Sequence, residues 1–343
     1  MRTREKTSAS LIFLLMVVSC APTSRLSLRS LAPVHGIEIG SAVAANPLRN
    51  DGLYGKTLAR EFSMVTPMNA MKFESLHPTL NRYEYGDADA IVEFAAAHGM
   101  KVRGHTLVWH EQLPPEITEG NWTRDELTEI LREHIMTVVG RYRGRVAAWD
   151  VVSEAIDDDA SLRDTIWSRG IGPEYIAMAF RWAHEADPDA LLFYNDYGGE
   201  GLSDKSDAIY ALARDLLQRG VPIHGVGLEM HVGLDWFPEP ETVAANMKRL
   251  AALGLQVHIT EMDVKIKTPV TRKELFAQAR VYRDMLNVCL SADNCTAFVI
   301  WGFTDRYSWV PGFFPGWDSA LVFDKRYHPK PAYNRLLNVL VEP

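Results

Sequence analysis

Eight short apolar runs, spaced by helix-length segments, constrain this chain more than any other feature. They are Gly36–Val43, Ser63–Pro67, Lys101–Trp109, Val146–Glu154, Ala190–Asp196, Gly225–Val232, Gln256–Val264 and Thr296–Phe303. Most are continuously apolar rather than alternating, as strands buried on both faces of a parallel sheet must be. Between them, the sequence predicts helices over Ala88–His98, Thr123–Tyr142, Pro173–Ala186, Ser203–Arg219, Glu241–Leu253 and Thr271–Leu290, with a closing helix at Pro331–Val341. Thr123 with Glu126, and Thr271 with Glu274, have the spacing of capping boxes, which satisfy the orphan amides of a helix start. Gly99, Gly220 and Gly254 each follow a helical run, where a left-handed residue ends the helix. Eight strands alternating with helices predict an α/β chain folded as a single (β/α)8 TIM barrel. An open doubly wound sheet is the alternative, but no glycine-rich fingerprint follows the first strand.

A barrel of this kind carries its chemistry at the C-terminal ends of its strands. Here those ends hold His105 and Trp109, Glu154, Asn195-Asp196-Tyr197, Glu229 and His231, Glu261 and Asp263, and Trp301. Ordinary surface loops are polar, but they seldom gather tryptophan, histidine and carboxylates at strand after strand. Glu154 and Glu261 each end an apolar run. A pair of carboxyls aimed at one bond is the apparatus of acetal cleavage: one protonates the leaving oxygen and the other meets the oxocarbenium-like centre. Their mutual repulsion keeps one protonated and one ionised. Strand alternation puts Glu261 and Asp263 on one face, and Glu229 and His231 on one face. His231 is then predicted to hydrogen-bond Glu261 while Asp263 holds it; a histidine without such neighbours would read as a core residue.

Composition narrows the partners. Of 343 residues, 47% are hydrophobic and 23% charged, as in an ordinary globular protein. The net charge of −8 disfavours nucleic acid. Nine Trp and 12 Tyr suit sugar-stacking platforms, although core packing is the commoner use of an aromatic ring. Arg2, Arg4 and Lys6 precede the apolar run Leu11 to Val18, which is too short for a bilayer and predicts an export signal over residues 1–20. Val17-Val18-Ser19-Cys20 resembles a lipoprotein cleavage box, giving membrane attachment through lipidated Cys20; an ordinary secretory signal is the alternative. Residues 21–33 read as a tether, residues 34–343 as one catalytic domain with no length left for a binding module, and the chain as a monomer. Export places Cys289 and Cys295 in an oxidising compartment, where a local disulfide is expected. Two cysteines without further ligands are too few for a metal site.

The ordered motifs resemble family 10 glycoside hydrolases, the retaining endo-β-1,4-xylanases. The matching stretches are Asn69-Ala70-Met71-Lys72-Phe73, Val102 to His110, Trp149-Asp150-Val151-Val152 before Glu154, Tyr194-Asn195-Asp196-Tyr197, Ile259-Thr260-Glu261, Trp301 to Asp305, Ser308-Trp309 and Lys330-Pro331-Ala332-Tyr333. The resemblance implies Glu154 as acid/base and Glu261 as nucleophile, with carboxyls about 5–5.5 Å apart. It implies Asn69, Lys72, His105, Trp109 and Gln112 as sugar contacts on the non-reducing side of the cut, Trp301 and Trp309 as aromatic walls there, and Tyr197 as a platform on the leaving-group side. It also implies the Cys289–Cys295 disulfide, xylan or xylo-oligosaccharide as substrate, and neither metal nor cofactor.

Three residues depart from the family pattern. Ser153 stands where an asparagine reaching the sugar 2-hydroxyl is usual. Met68 replaces a glutamate that contacts the next sugar, and offers an apolar wall. Glu229 replaces a glutamine, and another carboxylate there would raise the pKa of Glu261 unless Glu229 is itself protonated or paired. Three readings follow: a xylanase that tolerates drift, a β-glycosidase of altered preference, or a surface glycan-binding barrel with little turnover.

Overall fold

The computed structural model describes residues 26–341. The expected signal segment and Cys20 lie outside them. Eight parallel strands form the barrel: β1 (Glu38–Val43), β2 (Met64–Pro67), β3 (Lys101–Val108), β4 (Ala148–Ser153), β5 (Leu191–Asp196), β6 (Gly225–Leu228), β7 (Gln256–Lys267) and β8 (Cys295–Ile300). Each pairs with the next in chain order, and β8 closes the ring on β1 with Ile39 opposite Phe298. The outer helices include Gly86–Ala97, Arg124–Arg141, Glu174–Ala186, Asp204–Gln218, Pro240–Ala251, Arg272–Leu290 and Pro331–Val341. Both expected capping boxes form: Thr123 and Thr271 accept from the amides of Glu126 and Glu274, whose side chains reach back. A helix over Gly52–Glu61, begun by the Asp51 side chain, fills the gap between β1 and β2.

Three expectations are corrected. The tether does not extend to residue 33. Ser27 caps a short helix over Leu28–Leu31, and Leu28 and Ala32 are wholly buried. Arg29 donates to the carbonyls of Ala59 and Gly99, fixing this segment to the barrel. Second, the run Gly225–Val232 is not one strand. β6 stops at Leu228, Met230 takes φ of 63°, and a separate short strand spans His231–Gly233. Third, β7 runs past Val264 to Lys267, where it pairs antiparallel with Trp317 and Asp318. Cys289 and Cys295 are disulfide-bonded with Cα atoms 5.2 Å apart, linking the helix Arg272–Leu290 to the start of β8.

The barrel interior contains a buried ion pair. Arg103 on β3 is fully buried and grips Asp150 on β4 with two nitrogens, while a third lies 2.6 Å from His258 Nδ1 on β7. Burial raises the Asp150 pKa, but Arg103 and then His105 outweigh it and hold the carboxyl below its ordinary range. Removing one member of such a pair strands a charge in the interior. Arg103→Leu is therefore expected to cost about 3–5 kcal/mol of unfolding free energy in urea. An unchanged denaturation midpoint would show that the pair does not brace the barrel.

Candidate active site

The strand ends bring the predicted residues to one cleft. Glu154 is the residue after β4, in a left-handed conformation with φ of 55°. Its amide donates to the Asn195 carbonyl, and its own carbonyl accepts from Arg163 Nε at 2.8 Å. Burial first, then the charges of Asp196 and Glu261, push its carboxyl up to about 7; the Trp109 indole and Arg163 pull back. Near neutrality this group still holds a proton.

Glu261 lies on β7 and is 4% exposed. One oxygen accepts from Asn195 Nδ2 at 2.8 Å, with His105 Nδ1 3.7 Å away; the other lies 3.2 Å from His231 Nε2. Burial alone would raise its pKa, but the His105 charge and then the His231 hydrogen bond and charge hold it below the ordinary carboxylate range. Two glutamates in one cleft are thus driven to opposite protonation states, which is the signature of an acid and a nucleophile.

Each histidine is set by an aspartate. His105 Nδ1 lies 3.0 Å from Asp150 Oδ2, and His231 Nδ1 lies 3.0 Å from Asp263 Oδ2. Burial would lower His231, yet Asp263 and Glu261 outweigh it and raise it to about 10, so it is a cation. Glu229, His231 and Glu261 bring one ligand-type atom each within 4.8 Å, a spacing that invites a metal ion. Both His231 nitrogens are already committed to carboxylates as proton donors, which leaves no lone pair for a metal.

The residues expected to line the site have these surroundings. Trp301 meets His105 edge-on at 5.1 Å, and Trp309 donates its indole N–H to Asp263 at 2.7 Å. Met68 packs with Trp301 and Ala42, a small apolar cluster against which Trp309 rests. The Lys72 ammonium lies 4.6 Å over the Trp109 ring; burial lowers its pKa, opposed by Glu261, Glu154 and Glu229. Asn69 and Gln112 are exposed, and Gln112 takes φ of 49°. On the opposite side, Arg163 Nη2 donates to the Tyr197 hydroxyl at 3.0 Å, and Lys205 sits 3.4 Å over its ring.

Four residues that matter here were not singled out as site residues from the sequence: Asp150, Arg163, Asn195 and Lys205. Asn195 carried a signal, since it is the penultimate residue of β5. Its Oδ1 accepts from Thr260 at 2.7 Å, so its nitrogen must face Glu229 and Glu261. Gly227 makes room for it: a Cβ there would lie 2.1 Å from Asn195 Oδ1. Arg163 and Lys205 lie in a loop and a helix that carry no local motif.

Comparison with known proteins agrees with this geometry. The family model described as "Glycosyl hydrolase family 10" matches residues 27–339. The chain belongs to glycosyl hydrolase family 10. It is 44% identical over 340 residues to endo-1,4-beta-xylanase B of Thermotoga neapolitana, covering 97% of each. It is 43% identical over 296 residues to a beta-1,4-xylanase of Dictyoglomus thermophilum, covering 82% of each. The crystal structure of xylanase 10B from Thermotoga petrophila in complex with xylobiose superposes with a TM-score of 0.91 at 44% identity, covering 93% of this chain and 98% of that one. Native xylanase 10B from Thermotoga maritima gives 0.90 at 45%, covering 92% and 98%. A family 10 enzyme with these two glutamates should work only while Glu154 is protonated and Glu261 ionised. Its kcat/KM is therefore expected to fall as pH rises through about 7. The acid limb should lie below the ordinary glutamate value, because Glu261 is held down. A pH–rate profile with a wide plateau far above neutrality would contradict the assignment.

Proposed function

We propose that this chain is a retaining endo-β-1,4-xylanase. The observation that carries the reading is the pair Glu154 and Glu261, one raised to about 7 and the other held low across a single cleft. Glu261 attacks the anomeric carbon while Glu154 protonates the leaving oxygen. A covalent glycosyl-enzyme forms, and Glu154, now a base, activates the water that releases it with net retention. Asn195 and His231 hold Glu261 by its two oxygens, so the attacking carboxylate is fixed before substrate arrives. Trp301 and Trp309 wall the sugar on one side of the cut, and Tyr197, pinned by Arg163, supports the other. Export, with or without a lipid on Cys20, fits an enzyme whose polymeric substrate lies outside the cell.

The test is hydrolysis of xylo-oligosaccharides followed by NMR of the first product, which should be the β-anomer. Glu261→Gln should reduce kcat by on the order of 10⁴-fold. Glu154→Gln should cost about 10²–10⁴-fold on xylo-oligosaccharides, and much less on aryl xylosides with good leaving groups. An α-anomeric first product would refute the double displacement.

One local observation favours a narrower reading, a β-glycosidase of altered preference. Thr106 spends its hydroxyl hydrogen on the Asp150 carbonyl at 3.0 Å, so Ser153, 2.9 Å away, must donate to Thr106. Ser153 then faces the cleft only as an acceptor, where an amide would also donate. If xylan is the preferred substrate, Ser153→Asn should raise its kcat by about tenfold or more with little change in KM. A fall in xylan turnover would favour a different sugar at the cut.

A further inference from the structure

A third glutamate lies beside the two that the proposed reaction uses. Glu229 is the third and is 4% exposed. It follows β6 at the break, where the Met230 amide donates to Glu200 Oε1 at 3.1 Å and the backbone turns through its positive φ. The Asn195 amide joins Glu229 to Glu261. Its nitrogen donates to Glu229 Oε1 at 3.0 Å and to Glu261 Oε1 at 2.8 Å, and both of its hydrogens are spent. Among the described residues, nothing hydrogen-bonds the second oxygen of Glu229.

The charges around Glu229 are mostly negative. Glu261 on β7, Glu154 after β4, Asp196 at the end of β5 and Glu200 in the loop beyond all act on it. Lys72, after β2, is a cation that acts on it. His105 on β3 is committed to Asp150 and faces Glu261. His231 donates one N–H to Asp263 and the other to Glu261. Among the described residues, no cation forms a salt bridge with Glu229: the His231 ring lies within 4.8 Å of it but spends both N–H groups on Asp263 and Glu261.

We propose that Glu229 works as a neutral carboxylic acid that shares the Asn195 amide with Glu261 and donates the proton of its second oxygen to a hydroxyl of the sugar seated over the nucleophile. A carboxylate can only accept, whereas a protonated carboxyl both donates and accepts, as an amide does. Neutrality also leaves Glu261 as the anion that meets the anomeric carbon. Burial, followed by Glu261 and Glu154, drives the Glu229 pKa well above the ordinary glutamate value, in the same sense. The proposal rests on the glycosidase reading of this cleft.

Two variants and one spectrum test it. Infrared difference spectra of the whole protein, wild type minus Glu229→Gln, are recorded one pH unit above the Glu154 titration. A carbonyl band of a protonated carboxylic acid is expected in the wild type and absent from the variant. Glu229→Ala should lower kcat on xylo-oligosaccharides by about tenfold or more. Glu229→Gln should recover most of that loss and leave the alkaline limb of kcat/KM where it was. If Glu229 is instead an anion, the band is missing, and Glu229→Gln moves the limb to lower pH because a negative neighbour of Glu154 is gone. Either result overturns the proposal. The spectrum needs no turnover, so it stays decisive if the xylanase reading fails.

Discussion

The buried Arg103–Asp150 pair is the interaction on which the site depends. Two charges taken out of water are costly, and they persist where geometry and further hydrogen bonds compensate them. Here the compensation runs along the barrel axis. Arg103 holds Asp150 from below, and Asp150 presents an oxygen to His105 at 3.0 Å. His105 in turn faces Glu261. A mirror arrangement comes from the other side, where Asp263 accepts from both Trp309 and His231, and His231 reaches the second oxygen of Glu261. Two aspartate-anchored imidazoles therefore converge on one carboxylate. Neither glutamate oxygen is free to rotate away, and burial is prevented from protonating it.

That fixed anion determines what its neighbours can be. Glu154 has no comparable set of donors; it lies where burial, Asp196 and Glu261 all favour its neutral form. Asp196 is itself raised to about 6 by burial, against the pull of Lys205 and Tyr194. The same crowding acts more strongly on Glu229, which lies deeper and lacks a cation of its own. The division of labour among carboxyls of one residue type thus follows from how many donors each can find. Proton occupancy is decided by the strand ends around them rather than by the glutamates themselves.

Much of this was legible in the sequence because it depends on local pattern. The eight apolar runs, the capping boxes at Thr123 and Thr271, and the glycines at 99, 220 and 254 with positive φ are all set by residues within a few positions of one another. The His231–Glu261–Asp263 contact was also legible, but for an incomplete reason. Alternation along one continuous strand was expected to aim Glu229 and His231 together. In fact the strand breaks at Met230, and the turn held by Glu200 aims them. A positive φ at methionine has no signature in composition, and Glu200 lies thirty positions away. Arg163 and Lys205 were illegible for a similar cause, since their roles come from contacts across loops. The segment from Ser27 to Ala32 looked like a tether because it has no period, yet a four-residue helix needs none when Glu61 and the carbonyls of Ala59 and Gly99 receive its donors.

The two remaining departures from the family pattern act through different parts of this network. Met68 changes a wall: it replaces a polar contact with packing against Trp301, and its effect is confined to whichever sugar lies there. Ser153 changes the supply of hydrogen-bond donors. Its hydrogen goes to Thr106, the Thr106 hydrogen goes to the Asp150 carbonyl, and that residue's carboxylate already serves Arg103 and His105. The chain therefore ends in the same aspartate that holds His105 beside Glu261. A serine here cannot turn its donor toward a substrate without leaving the buried Thr106 oxygen with no donor, although Thr106 still donates to the Asp150 carbonyl. Any hydroxyl that bonds Ser153 from the cleft would then have to donate to it.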